Sequence, residues 1–294
     1  MTIQEQAGLL AEEASLFACP VCGEAMEMTG SSLRCAKGHS YDVAKPGYVN
    51  LLRNPPSTRY DKSLFVSRRK LMEDGLFDSL LDRLAERIQA NEAPQESSGS
   101  APRLLDAGCG EGSPLVRLQE RLAGRAGLEL LGVGVDLAKE GIRLAARSSS
   151  RTVWCVGDLA NSPFRDGSFR YILSLLSPSN YAEFRRLLEA DGLVLKVVPQ
   201  ADYLQELRAR LYGDSLRPEE EARQAADWFR QHFQLADEET VRYSFPVREE
   251  TWSELLAMTP LAWKATAEQL AEVRQSPPAE VTVSMRILAG RRPG

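Results

Sequence analysis

Apolar residues along this chain fall into two regimes. Residues 1–62 show no sustained periodicity, whereas from residue 103 short apolar runs alternate with amphipathic stretches. The runs are RLLDAG (103–108), LELLGVGVD (128–136), TVWCVGD (152–158), RYILSLLS (170–177) and LVLKVV (193–198). Runs this short, bounded by turn residues, predict strands buried on both faces. Between them, Ser113-Pro114 opens a helix carrying Leu115, Leu118 and Leu122, with Gly124 just beyond its end. A second helix carries Ile142, Ala145 and Ala146, and a third covers about 180–189, followed by an Asp191-Gly192 turn. Strands separated by helices imply parallel pairing, so the fold class is α/β with a doubly wound sheet. TVRYSFPV (240–247) and VTVSMRILAG (281–290) alternate as closing strands. Upstream, Phe77, Leu80, Leu81, Leu84 and Ile88 recur at helical spacing within 63–90, with Gly75 as a break.

These patterns divide the chain into a polar leader (1–16, a frayed helix), a turn-rich module (17–52), a Pro-containing linker (53–62) and a large domain (63–294) that includes a polar loop at 90–102. A length of 294 residues suits one large domain plus a small module. No run approaches the roughly 18 apolar residues of a membrane span. The acidic N-terminus lacks the basic flank and cleavage pattern of a signal peptide. The expectation is a cytoplasmic protein with no membrane partner.

The module contains Cys19, Cys22, Cys35 and His39, a C-x2-C-x12-C-x3-H pattern. Short ligand pairs let one tight turn supply two ligands to a tetrahedral zinc ion, and Gly23 and Gly38 sit where such turns need permissive backbone. Four protein ligands close the site, so the expected role is structural: zinc gives folding energy to a segment too short for its own core. The plain alternative is a cluster of buried cysteines beside a surface histidine. Cys109 and Cys155 lie in the strand-rich region and read as packing residues, and His232 reads as structural or exposed.

The strongest chemical signal follows the first strand of the large domain: Asp106-Ala107-Gly108-Cys109-Gly110-Glu111-Gly112. The glycines permit a tight turn and close approach to a ligand. Asp136 ends the next strand, where a carboxylate can accept both ribose hydroxyls. Asp158 ends the third, in Val156-Gly157-Asp158-Leu159, where a carboxylate can receive an adenine amino group. In the dinucleotide fingerprint G-x-G-x-x-G the third glycine comes three residues after the second, not two as here, and the helix N-terminus faces a pyrophosphate. Here Asp106 and Glu111 flank the loop, and carboxylates repel pyrophosphate but suit a sulfonium and an ammonium. The electrostatics favour S-adenosylmethionine; the plain alternative is a Gly-rich turn used only for packing.

This motif set resembles the class I S-adenosylmethionine-dependent methyltransferases, with a Rossmann-like sheet. CPVCG…LRCAKGHSYDVAKPGYVNLL, SRRKLMEDGLF (67–77), DAGCGEG and LLAMTPLAWKA (255–265) narrow the resemblance to bacterial 23S rRNA (guanine-N1)-methyltransferases of the RlmA type, across nearly the whole chain. The resemblance implies zinc ligands at the four residues above and cofactor contacts at Gly110 and Glu111. It further implies an aromatic ring against the cofactor at Phe77, where a Tyr can occur, and a contact at Tyr203, where a His can occur. It also suggests a homodimer and, as substrate, a hairpin of 23S ribosomal RNA.

Charge distribution agrees with a local anionic partner. The chain carries a net charge of −5, yet residues 34–70 hold nine Lys/Arg against Asp42 and Asp61. Tyr41, Tyr48, Tyr60 and Phe65 interleave with these cations, and Lys45, Arg59, Arg68 and Arg69 are the candidate RNA contacts. A solvated, flexible neck is the plain alternative. Guanine N1 must lose a proton to attack, so a base or polarising group is required. Leu176-Ser177-Pro178-Ser179-Asn180 lies where class I enzymes hold the acceptor, and Ser177 and Asn180 are candidates for orienting the base edge. The competing readings are a zinc-knuckle methyltransferase acting on a small molecule or protein, and a non-catalytic RNA-binding module.

Overall fold

The computed structural model describes residues 3–52, 60–92, 101–148, 151–213 and 218–293. Most of the expected linker and of the 90–102 loop therefore lies outside the described residues, as does Arg59. The N-terminal part comprises helix α1 (Ile3–Glu12) and strands β1 (Met26–Thr29), β2 (Ser32–Cys35), β3 (Ser40–Asp42) and β4 (Tyr48–Asn50). Helices α2 (Lys62–Glu73) and α3 (Asp78–Asn91) follow, separated at Gly75, whose φ of 89° provides the expected break. Then come β5 (Arg103–Ala107), α4 (Ser113–Ala126), β6 (Leu131–Asp136), α5 (Lys139–Ala145), β7 (Thr152–Val156), β8 (Phe169–Leu175), α6 (Tyr181–Leu187) and β9 (Leu188–Pro199). Helices α7 (Gln205–Tyr212) and α8 (Pro218–His232), strand β10 (Gln234–Pro246), helices α9 (Glu249–Met258) and α10 (Ala267–Gln275) and strand β11 (Glu280–Arg291) complete the order.

Eight strands form one sheet in the order β10-β11-β9-β8-β5-β6-β7-β4. Strands β4 to β9 pair in parallel within it, and β11 and β10 close one edge antiparallel. Alternate residues of the central strands enter two separate cores. Leu104, Trp154, Tyr171 and Leu195 pack on one face with α3, α4 and α9. Leu105, Cys155, Ile172 and Val194 pack on the other with α6 and α8. This two-sided burial is why the strands read as continuous apolar runs. Among the described residues, no helix is long and apolar enough to cross a membrane.

The N-terminal part is built into this architecture. Strand β4 pairs in parallel with β7, matching Tyr48–Asn50 to Trp154–Val156, so it forms an edge of the large sheet although the sequence groups it with the module. The leader is packed where a frayed helix was expected: Leu10, Leu16 and Phe17 are buried in the same core as Cys19, Cys35, Val153 and Phe164. Backbone hydrogen bonds from Ala18 N to Pro163 O (3.0 Å) and from Arg165 N to Leu16 O (3.0 Å) tie the two parts together.

Three local differences have physical causes. Helix α4 continues through Gly124 and stops at Gly127, whose φ of 61° lets its N–H and that of Leu128 cap the carbonyls of Ala123 and Leu122. Strand β9 begins at Leu188, and the Asp191-Gly192 pair becomes an irregularity in its register against β8. Gly112 starts α4 at φ 83°, and a Cβ there would lie 2.4 Å from the Trp154 ring and 2.8 Å from Ala145 Cβ. Gly112 therefore seats α4 against a buried tryptophan. Gly112→Ala is expected to cost about 1–2 kcal/mol for left-handed backbone and about 1–3 kcal/mol for overpacking. Urea denaturation should show the midpoint falling with little change in slope; an unchanged midpoint would remove this role.

Candidate active site

The loop between β5 and α4 turns on Gly108 (φ 85°) and Gly110 (φ 57°). Gly108 N and Cys109 N donate to Val135 O, at 2.9 and 3.1 Å, which fastens the loop to the end of β6. Asp136 holds it from the same strand end. One carboxylate oxygen accepts from Gly110 N (2.8 Å) and the other from Ala138 N (2.7 Å). A carboxylate has about four lone-pair sites, so acceptor capacity remains for ribose hydroxyls. Burial pushes the Asp136 pKa up, against these two hydrogen bonds and the Arg68 charge. Asp158 accepts from Ala160 N (2.8 Å) at the end of β7, and Leu159 Cδ1 lies 4.0 Å from the position of a Cβ at Gly108.

Asp106 and Glu111 diverge in environment. Glu111 is buried and paired: Arg69 Nε donates to its carboxylate and Arg69 Nη2 to its carbonyl, both at 2.9 Å, and Ser113 Oγ adds a 2.6 Å bond. Arg69, expected among RNA contacts, is thus committed to the loop, and Glu111 already has a cationic partner. Asp106 is equally buried, but among the described residues neither of its carboxylate oxygens has a hydrogen-bond partner. Burial, then the charges of Asp136 and Glu111, push its pKa up to about 8. The sign follows: the folded side chain holds its proton between pH 4 and 8 while the unfolded one releases it, so the protein loses stability as pH rises through that window.

Helix α2 covers the loop. A Cβ on Gly110 would lie 3.3 Å from Phe65 Cε1 and 3.8 Å from Arg68 Nη1. The Arg68 guanidinium stands 5.4 Å from the Tyr60 ring centre and 5.9 Å from that of Phe65. Tyr60 meets Trp263 edge-on at 5.3 Å, and both rings are partly exposed. Phe77 and Tyr203 are both buried in the core on this face of the sheet, and the Tyr203 phenol is pushed up by burial.

The loop after β8 crosses Gly108, where a Cβ would lie 2.6 Å from Ser177 Cβ. Ser177 Oγ donates to Ala107 O (2.5 Å), so this hydroxyl clamps two loops together. Asn180 caps α6, accepting from Glu183 N (3.3 Å), which gives it a local structural task. Sequence reasoning missed Lys196, a buried lysine in β9 that donates to Ser177 O (2.5 Å) and Ser174 Oγ (3.1 Å). Burial pulls its pKa down to about 8. Its signal was a single cation inside the apolar run LVLKVV. Leu176, in the same loop, has a φ of 53°, a strained conformation for a branched side chain.

The four module candidates converge. Ligand atoms of Cys19, Cys22, Cys35 and His39 lie within 4.8 Å of one another. The Cys22 and Cys35 sulfurs are 3.7 Å apart, and His39 Nδ1 is 3.3 Å from Cys35 Sγ. Zinc–sulfur bonds of about 2.3 Å in a tetrahedron place sulfurs about 3.8 Å apart, so the donor set fits structural zinc. The residues of the glycine loop likewise fit S-adenosylmethionine: Asp106 is a buried carboxylate without a donor, and the cofactor brings a sulfonium and an ammonium. Cys109 and Cys155 are buried packing residues, and His232 lies against Trp228 and Tyr181.

Comparison with known proteins covers both parts. Residues 17–55 match the family described as "RlmA, N-terminal", a zinc ribbon, and residues 104–195 match "Methyltransferase domain". A Bacillus subtilis protein described as "Putative 23S rRNA (guanine-N(1)-)-methyltransferase YxjB" is 40% identical over 283 residues, covering 95% of this chain and 98% of that one. The 23S rRNA (guanine(748)-N(1))-methyltransferase of Streptomyces fradiae is 33% identical over 272 residues, covering 91% and 93%.

Two outcomes follow from this geometry. Metal analysis should find one zinc per chain, and Cys22→Ser or chelation should remove it and lower the unfolding temperature, because module and large domain share a core. A purified protein that is free of metal and equally stable would contradict this. In calorimetry, S-adenosylmethionine affinity should rise up to tenfold per pH unit from 6 to 8 and then level, as Asp106 loses its proton to receive a cation. Asp106→Asn should flatten the profile; a wild-type profile that is already flat would exclude this coupling.

Proposed function

The chain belongs to the 23S rRNA (guanine-N1)-methyltransferase family, and from that premise we propose that it transfers a methyl group from S-adenosylmethionine to N1 of a guanine in 23S ribosomal RNA. The observation that carries the proposal is the presence, in one chain and packed against one sheet, of a Cys3His cluster and a glycine loop beside a carboxylate with no hydrogen-bond partner among the described residues. The resemblance extends it to a hairpin loop as the RNA element, a homodimer as the assembly and the cytoplasm as the location.

The sulfonium makes the methyl carbon electrophilic. The protein's own work is to bind, orient and exclude water. Asp106 would receive the cationic end of the cofactor, and Asp136, which braces Gly110, would accept ribose hydroxyls. Asp158 and Leu159 would hold the adenine. Phe77, Tyr203, Gly108 and Gly110 shape the remaining wall, and Arg69 fixes Glu111 so that the loop keeps its form. Lys196 anchors the carbonyl of Ser177 and thereby the loop that faces the acceptor. An unstacked guanine needs an aromatic surface, and Tyr60 and Trp263, with Arg68 between them and the glycine loop, offer one. Cys19, Cys22, Cys35 and His39 would hold zinc at the far side of the shared core.

The direct test is to incubate unmodified 23S rRNA with the protein and S-adenosylmethionine and map methyl groups by mass spectrometry. One N1-methylguanine in a hairpin loop is expected. Methylation of a metabolite or protein with none on the RNA would overturn the proposal.

A further inference from the structure

A groove of about 550 Å³ lies between the turn that leaves the zinc module and helix α5. Four cations line it: Lys45 from the turn, and Lys139, Arg143 and Arg147 from α5 and the turn after it. We propose that this groove is a second contact for the RNA strand, receiving successive phosphates beside the cofactor crevice. The inference rests on the methyltransferase reading above and extends it to residues that no comparison assigns.

In a chain of net charge −5, four cations share this groove with one acid, Glu140. Glu140 stands 3.7 Å from Arg143, and both are substantially exposed, so that ion pair is weak. Among the described residues, Lys45, Lys139 and Arg147 have no ion-pair partner, and all three are exposed. Clustered cations repel one another, so an anion in the groove relieves a cost already present in the fold.

Lys139, Arg143 and Arg147 recur every fourth residue, while Ile142, Ala145 and Ala146 face the core. Four residues advance a helix by about 6 Å, which matches a repeating backbone anion better than a single one. The groove is also rigid. Lys45 is carried on a tight turn, with Gly47 N donating to Ala44 O (2.8 Å) and Ala44 N to Tyr48 O (2.8 Å), and β4 then locks onto β7. The opposite side of α5 touches the cofactor loop: a Cβ on Gly141 would lie 2.6 Å from Gly110 O. A strand in the groove is therefore held at a fixed offset from the crevice. Backbone phosphates suit such a site because they set register without reading sequence.

The test is binding of full-length protein to transcribed 23S rRNA across a salt series, for wild type, Arg143→Glu/Arg147→Glu and Arg143→Lys/Arg147→Lys. The glutamate pair should bind at least tenfold more weakly, with a salt slope smaller by about 1.4–1.8, from about 0.7–0.9 per phosphate lost. The lysine pair should resemble wild type, and S-adenosylmethionine affinity should be unchanged in all three. If wild type methylates the RNA but the glutamate pair matches its affinity and slope, the groove is not an RNA site. If wild type neither binds nor methylates the RNA, the methyltransferase reading fails and this inference falls with it.

Discussion

A carboxylate buried without a hydrogen-bond donor is costly, and the architecture around Asp106 maintains that condition. The parallel strand β5 carries Asp106 into the interior at its C-terminal end, beside the crevice where open α/β sheets bind ligands. Its neighbours are satisfied in other ways: Glu111 by Arg69 and Ser113, and Asp136 by two backbone N–H groups. Among the described residues no donor reaches Asp106, so the unmet requirement falls on one group. A cationic ligand answers it, whereas a pyrophosphate would add to the repulsion. Which acids are paired, and which one is not, thus suits a cationic cofactor such as S-adenosylmethionine.

Packing also sets the place of the proposed RNA-binding surface. Because Leu16, Phe17, Cys19 and Cys35 share a core with the back of the sheet, and β4 extends its edge, the zinc cluster is joined to the catalytic domain by packing. The turn bearing Lys45 is held beside α5 by its own hydrogen bonds and by the pairing of β4 with β7. On the other side, α2 brings Phe65 and Arg68 onto Gly110 and presents Tyr60 towards Trp263. Cofactor crevice, aromatic rings and cationic groove are consequently fixed to one sheet.

Local information was what the sequence displayed best. The zinc set was legible because its ligands come in short pairs within 21 residues, and the glycine loop because its acids end consecutive strands. The parallel sheet was legible because burial on both faces leaves unbroken apolar runs. Long-range pairings were hidden. A three-residue strand such as β4 carries no periodicity, and its partner lies about a hundred residues on. Arg69 looked like a member of a basic neck because its partner, Glu111, is distant in sequence. Asn180 looked like an acceptor residue because a helix cap and a binding loop favour the same side chains. The cationic repeat 139/143/147 was present in the sequence, but its meaning needed Lys45 brought opposite to it.

The account turns on Asp106 being protonated in the free protein and ionised beside the cofactor. Difference infrared spectroscopy at pH 7, recorded on adding S-adenosylmethionine, reads that state directly. A buried protonated-carboxyl band should disappear on binding and should be missing in Asp106→Asn. A spectrum with no such band in the free protein, or one that ligand leaves untouched, would contradict the account at its centre.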